Sequence, residues 1–487
     1  MIVRKVTITV MKKRRSIIYI VICLAVCLIP FVGMTFARTD STTENRRMAK
    51  LPHITEEGRV NVGYLSELGL WFEDHFAFRP YMVMADSLIQ SKVFKVSNMD
   101  TVLVGRDGWL YYTSTLSDYL GTDVMTEKSA WNAAHNLYLT SEMVKDRGGV
   151  FLLTVAPNKN TLYGEHMPYY DSKIVNTTGN MELLEAEMEG FDITYADLFE
   201  VFENEQETLY LKRDSHWNNK GAVLAYNRLL DELTFDHETY ETVPAIREKN
   251  EYGDLNKMLY PIDFEPEWNY EYQKDDAYTY VTDTESVEDA FIETANESAG
   301  SSLLMFRDSF GNTLLPLMAN TFGRAYFSKA VPYNVEDYVD SYHPEYVIVE
   351  KVERNIADFA DAPPIMTGPL VEINDDIQGN GDTHKASDGL NIGECEYDAD
   401  YWLFSGRLEE LKEKGSVVYV RILTSDGQSH CYEAFTTTDG AYDNGYMLYV
   451  AKDNIVSGDV AVQVLAKTGG TIELVAEESF NTGLIGP

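Results

Sequence analysis

The chain is poor in cysteine and in basic charge, and both shortages narrow its chemistry. Its 487 residues hold four cysteines. Cys23 and Cys27 lie in an apolar N-terminal run, and Cys395 and Cys431 near the other end, so the long stretch between them has no thiol. A cysteine nucleophile or a thiolate metal site is thereby excluded there. Against 78 Asp and Glu stand 40 Lys and Arg, a formal charge of −38. That balance argues against nucleic acid or anionic polymers as nonspecific partners. Internal repeats and low-complexity tracts are also missing.

What is present starts with a membrane signal. Lys12-Lys13-Arg14-Arg15 precede an apolar run from Ser16 to Ala37, about the ~20 residues that a spanning helix needs. With Arg4 and Lys5 also ahead of it, residues 1–15 form a basic segment. This predicts a single-pass anchor over 16–37, the N-terminus cytoplasmic and everything after Arg38 extracytoplasmic. A cleaved signal peptide is the other reading, but no clear small-x-small site follows the run. Residues 38–60 are polar and aperiodic, as in a tether.

Further on, strands and helices alternate. Val150 to Val155 is a continuous apolar run, typical of a strand buried on both faces. Thr126 can cap a helix running to about Lys145, and another helix is expected near Met181 to Glu189. Strands are expected at Thr208–Leu211, Ser302–Phe306, Ala325–Phe327 and Tyr346–Glu350. The fold class is therefore α/β, a largely parallel sheet with flanking helices over residues 61–370. Residues 236–300 read as an acidic, tyrosine-rich insertion. Asn374-Asp375-Asp376 and Gly379-Asn380-Gly381-Asp382 mark a boundary near 370–388. Beyond it, short strands at Ser416–Ile422, Gly445–Val450 and Val460–Leu465 predict a β-sandwich over 388–487.

Two stretches carry chemistry. Arg213-Asp214-Ser215-His216-Trp217 sits between the run Thr208–Leu211 and an amphipathic helix bearing Ala222, Tyr226, Leu229 and Leu230. Arg307-Asp308-Ser309-Phe310-Gly311-Asn312 sits between a strand and a helix. An Asp close to a His can orient the imidazole and stabilise its charge, and a Ser at a helix start completes a nucleophilic triad. Free amides at that start, those of Ser309 and Gly311, are candidate oxyanion donors. Lys159, Arg307, Trp217 and Asn312 are further oxyanion or substrate-binding candidates. The plainer readings are a helix cap at Ser309 or Asp308, a satisfied half-buried His216, and a capping Asp214. Asp-x-His could also ligate a cation, but no third ligand stands at a telling spacing. Cys395 and Cys431, both in the exported part, are a candidate disulfide.

The chain resembles the DHHW family and the alginate O-acetyltransferase-like branch of the SGNH hydrolases. The resemblance is carried by Asp74-His75-Phe76-Ala77-Phe78-Arg79, Gly105-Arg106-Asp107-Gly108-Trp109-Leu110-Tyr111, Arg213 to Asn218, and Arg307 to Gly311. It implies a flavodoxin-type sheet, with Ser309 as nucleophile, His216 as base and Asp214 as its orienting acid. It further implies O-acetylation of a cell-surface or secreted polysaccharide without a cofactor, the acyl group being presented by a polytopic membrane acyltransferase. A carbohydrate esterase with the same residues and a non-catalytic glycan-binding scaffold stay open beside it. The C-terminal sandwich stands where the alginate enzymes carry a carbohydrate-binding module.

Overall fold

The computed structural model describes residues 2–34, 36, 48–56, 59–262, 264–373, 377–378, 389–424, 427–440, 442–455 and 458–482. Most of the expected tether and both boundary motifs, Asn374-Asp375-Asp376 and Gly379 to Asp382, lie outside the described residues. So do Ala37 and Arg38. The chain forms two compact units, one of residues 1–113, 212–215 and 249–267, the other of residues 114–211, 216–248 and 268–487.

The first unit opens with the helix Ile2–Gly33, in which Arg14–Gly33 is long and apolar enough to cross a membrane. It stops four residues short of the expected Ala37. The expected tether contains a small strand pair, Thr55–Glu56 with Arg59–Val60. Helix Tyr64–His75 ends at Phe76, and Phe78 takes a left-handed turn (φ 65°) into helix Arg79–Leu88. A hairpin forms, Val102–Val104 against Leu110–Tyr112, with Asp107 and Gly108 supplying the positive φ angles of its turn. Val102 and Leu110 pack on Leu255, Leu259 and Tyr260.

The second unit is organised around a seven-stranded sheet. Its strands in chain order are β1 (Val150–Ala156), β2 (Tyr195–Ala196), β3 (Thr279–Tyr280), β4 (Phe291–Ala295), β5 (Ser302–Phe306), β6 (Arg324–Ser328) and β7 (Tyr346–Val352). They lie side by side as β2-β1-β7-β5-β6-β4-β3. The first five run parallel, β4 runs against them, and β3 is in turn antiparallel to β4. Interior strands such as β1 and β5 are buried almost throughout, as a sheet covered on both faces requires. Three helices matter below: α1 (Glu127–Asp146), α2 (Asn219–Glu232) and α3 (Gly311–Thr321). Residues 236–300 are not a mere insertion, because β3 and β4 extend the sheet. The alternation Phe291 to Ala295, with Ile292 and Thr294 buried, was the signal for it.

The C-terminal part is strand-rich, as expected. It contains β8 (Ile377–Gln378), β9 (Asn391–Glu394), β10 (Tyr401–Arg407), β11 (Val417–Thr424), β12 (Ser429–Asp439), β13 (Tyr442–Ala451), β14 (Asp459–Thr468) and β15 (Thr471–Asn481). These form one sheet ordered β8-β15-β14-β11-β12-β13-β10-β9. The long β12 pairs with β11 through its first half and with β13 through its second. One core then takes Phe404 and Leu448 from one half and Val420 and Val462 from the other. The sheet is thus folded over on itself, sandwich-like, without a break.

This sheet also shares a core with the first one. Phe435 and Tyr449 cluster with Leu137, Leu153 and Val347. On α1, Asn132 Nδ2 donates to Thr438 Oγ1 and to Asp443 O (3.3 and 3.1 Å), and Asn136 Nδ2 to Thr436 O (3.0 Å). His135 Nε2 lies 3.0 Å from a Glu433 carboxylate oxygen. The expected Cys395–Cys431 bridge does not form. Both thiols are buried and free, Cys395 among Tyr401 and Tyr449 and Cys431 against Leu465 and Ile472. They belong to separate apolar clusters.

Candidate active site

Strand β5 is apolar and buried, and it delivers the chain to a turn at its carboxyl end. In open α/β sheets this is where ligands bind. The turn is tied down by acidic side chains. Asp308 Oδ1 accepts from Phe310 N (2.8 Å) and Asp308 Oδ2 from Val352 N (2.7 Å), while Asp308 N donates to Glu350 Oε2 (3.0 Å). Glu350 on β7 is fully buried, and burial first, then the nearby Asp308 charge, holds its carboxyl well above the usual range. Gly311 is required by close approach. A Cβ there would stand 2.7 Å from Arg307 Cβ and 3.1 Å from Glu350 Oε2.

The second turn is built differently. The expected strand Thr208–Leu211 is an extended segment with only a single bridge, Tyr210 with Trp217. It pairs with the chain where it returns: Leu211 N donates to His216 O (3.3 Å) and Asn218 N to Leu209 O (2.7 Å). Asn218 then caps α2 by accepting from Gly221 N (3.0 Å) and also donates to Thr208 O (2.8 Å). Trp217 is buried, its ring edge-on to Phe310 (4.9 Å), and its indole N–H donates to Thr313 Oγ1 (2.5 Å).

These two turns bring His216 and Ser309 together. His216 Nε2 lies 2.8 Å from Ser309 Oγ, and both side chains are half-buried. The Phe310 ring stands edge-on to the imidazole at 4.8 Å. Asp214 falls in the other compact unit. There its Oδ2 accepts from Asp254 N (2.8 Å), and Ser215 N donates to Asp254 Oδ1 (2.7 Å). The backbone of Arg213 is held in that unit too, Arg213 O accepting from Asn256 N (2.9 Å).

The remaining candidates separate. Lys159 is buried and donates to Leu211 O (3.2 Å), so it braces the segment leading to His216. Arg307 is buried, donating to Asn312 Oδ1 (2.5 Å) and Val287 O (2.7 Å). Asn312 in turn donates to Glu288 (2.6 Å). Trp217 packs behind the pair, and Gly311 opens α3 two residues after Ser309. Residues not singled out in the sequence include Glu350, Phe310 and Glu353. Glu353 accepts from Asn158 N and Thr161 Oγ1 (2.7 Å each), and burial pushes its carboxyl up to about 7. An acidic residue at the end of an apolar strand was the available signal for Glu350. Nothing in the sequence marks Glu353.

Residues 102–305 match the family model described as the SGNH hydrolase-like domain of the acetyltransferase AlgX. The match includes Asp214 and His216 and stops four residues before Ser309. Over these residues the chain has an SGNH-like domain, similar to that of AlgX. No curated protein sequence matches it. Among solved structures it is similar to Bacillus cereus PatB1 (17% identity, 53% of this chain and 98% of that one, TM-score 0.43). It is also similar to a DHHW family protein from Eubacterium siraeum (16%, 53% and 93%, TM-score 0.41). A third is the O-acetyltransferase domain of Pseudomonas putida AlgJ (16%, 53% and 92%, TM-score 0.36). Likeness at this level carries no argument about activity.

Proposed function

We propose that the chain is an O-acyltransferase, most naturally an acetyltransferase, that modifies hydroxyls of an extracytoplasmic polysaccharide. The observation that supports this reading is the 2.8 Å approach of His216 Nε2 to Ser309 Oγ, within hydrogen-bond reach for a base and its nucleophile. In the proposed reaction His216 takes the Ser309 proton as Oγ attacks the acyl carbonyl. The proton passes to the leaving group, and an acyl ester remains on Ser309. His216 next takes the proton of a sugar hydroxyl, whose oxygen attacks the ester. Ser309 leaves and is reprotonated. By the motif, the orienting carboxylate is Asp214, two residues earlier in the chain. The amides of Ser309 and Gly311, at the start of α3, are the proposed donors to the tetrahedral oxyanion.

Six basic residues ahead of Ser16 support a cytoplasmic N-terminus and an anchored catalytic domain outside. The proposed catalytic domain spans 61–370, and residues 388–487, which share a core with its sheet, are given a proposed role toward glycan. Acyl-CoA is cytosolic, so an outside enzyme would take its acyl group from a membrane-embedded acyltransferase. The test is to supply a chromogenic acetyl ester with and without oligosaccharides. Acetylated sugar that requires Ser309 supports transfer. Acetate release alone, with every acceptor, converts the reading to an esterase.

A further inference from the structure

A cavity of about 360 Å³ is lined by α2 and α3, the helices that follow His216 and Ser309 in the chain, and by residues 240–276. It begins three residues after each of the pair, at Asn219 on α2 and Asn312 on α3. Its size falls in the range of small-ligand sites, about 300–1,000 Å³. Its apolar lining includes Val223, Pro316 and Leu317, and its aromatic residues are Tyr240 and Tyr272, edge-on to each other at 5.6 Å. The rim is charged and exposed: Glu271, Lys274 and Asp276. Lys274 is ion-paired to Glu238, and its ammonium stands 4.7 Å from the Tyr240 ring centre. Its charge is spent on that pair, so the carboxylates of Glu271 and Asp276 set the sign of the rim.

We propose that this cavity is the acceptor subsite and that it takes an uncharged hexose residue of a glycan while rejecting uronates. The proposal rests on the acyltransfer reading above and extends it to the acceptor's chemistry. An apolar lining with two tyrosines suits the C–H face of a pyranose. Polar rim groups are placed to meet its hydroxyls. Two carboxylates at the mouth of a chain of formal charge −38 repel a carboxylated sugar, and such a repulsive element gives specificity as surely as an attractive one. The cavity's lining on α3 starts at Asn312, three residues after Ser309, so in the proposed mode the sugar extends from that end toward the acyl group.

The test is direct binding to the full chain in detergent carrying Ser309→Ala, so that turnover does not interfere. The probes are mannan-derived and β-glucan-derived oligosaccharides and, as the anionic counterpart, oligouronates, each titrated calorimetrically. Saturable binding of a neutral probe, at least tenfold tighter than any oligouronate, supports the proposal. Leu317→Trp fills the cavity from its half-exposed edge and is expected to weaken that binding about tenfold or more. The exposed pair Glu271→Lys with Asp276→Lys is expected to raise oligouronate affinity instead. Neutral binding unchanged by Leu317→Trp, or uronates bound as tightly as neutral sugars, overturns it, and so does the absence of any neutral binding. The two readings fail separately. Ester turnover by the unsubstituted chain without neutral binding removes this subsite and leaves the acyl chemistry. Neutral binding lost in Leu317→Trp, in a chain that forms no acyl-enzyme, keeps the subsite and removes the chemistry.

Discussion

The turns that supply Ser309 and His216 do the same job by opposite means. The Ser309 turn is fixed from inside by buried charge, with Asp308 spanning two backbone amides and Glu350 receiving a third. The His216 turn is fixed mainly by backbone pairing, an asparagine cap and a buried tryptophan, with a single buried cation, Lys159, on Leu211 O. A buried carboxyl is stable only while its charge and its hydrogen bonds are both satisfied, so the first turn is tied to protonation. Packing and amide bonds carry no titrating group. The support of Ser309 should therefore respond to pH, and that of His216 mainly to volume.

The largest effect expected is chemical and ignores that difference. His216→Ala removes the base and should lower ester turnover by roughly 10²–10⁴-fold at pH 7, with an unchanged melting temperature because the side chain is half-buried. A loss of folding instead of turnover would place His216 in the architecture. The next concerns the His216 turn. Trp217→Ala deletes a fully buried indole and is expected to cost about 3–5 kcal/mol in denaturant unfolding, at every pH. Trp217→Phe keeps most of the volume but loses the bond to Thr313, a cost of about 1 kcal/mol. A pH-dependent penalty in either variant breaks the comparison.

Smaller, and opposite in kind, is the response of the charged turn. Glu350 has its carboxyl pKa raised by burial. Such a group leaves the fold most stable below the unfolded value, near 4.5, and costs stability as pH rises, because only the unfolded chain then ionises freely. Glu350→Gln retains an acceptor for Asp308 N and should flatten that decline in a melting series across pH. Glu353 should act likewise over a narrower window. With its carboxyl raised from 4.5 to about 7, stability is present below 4.5 and lost progressively toward pH 7. Glu353→Gln therefore gains most relative to the parent at pH 7 and nothing at pH 4. Equal shifts at both pH values would contradict the assignment.

The sequence was most legible where period and turn chemistry agreed. The run Val150 to Val155 became β1, and Ser302 to Phe306 became β5. His216 and Ser309, ninety-odd residues apart, meet because both sit at element ends on one face, a pairing visible from the alternation itself. Other features had no local signature. Thr208–Leu211 has strand-like composition, yet it pairs with its own return and not with a sheet neighbour. Strands β10 and β15 mix polar and apolar residues because one of their faces is only partly covered. Gly253 shows how close approach hides in sequence: a Cβ there would stand 2.3 Å from Arg213 O. The division of the Arg213–His216 motif between two compact units is likewise a tertiary fact. No spacing could announce it.

The central claim is that Ser309 carries the acyl group, and intact-mass and peptide mapping of the quenched protein test it directly. After brief exposure to an activated acetyl ester, the peptide holding Ser309 should gain one acetyl group. The gain should vanish in Ser309→Ala and fall sharply in His216→Gln, which lacks the base for loading as well as for transfer. Turnover with no acetyl on Ser309 at any quench time, or with the acetyl on another residue, contradicts the account.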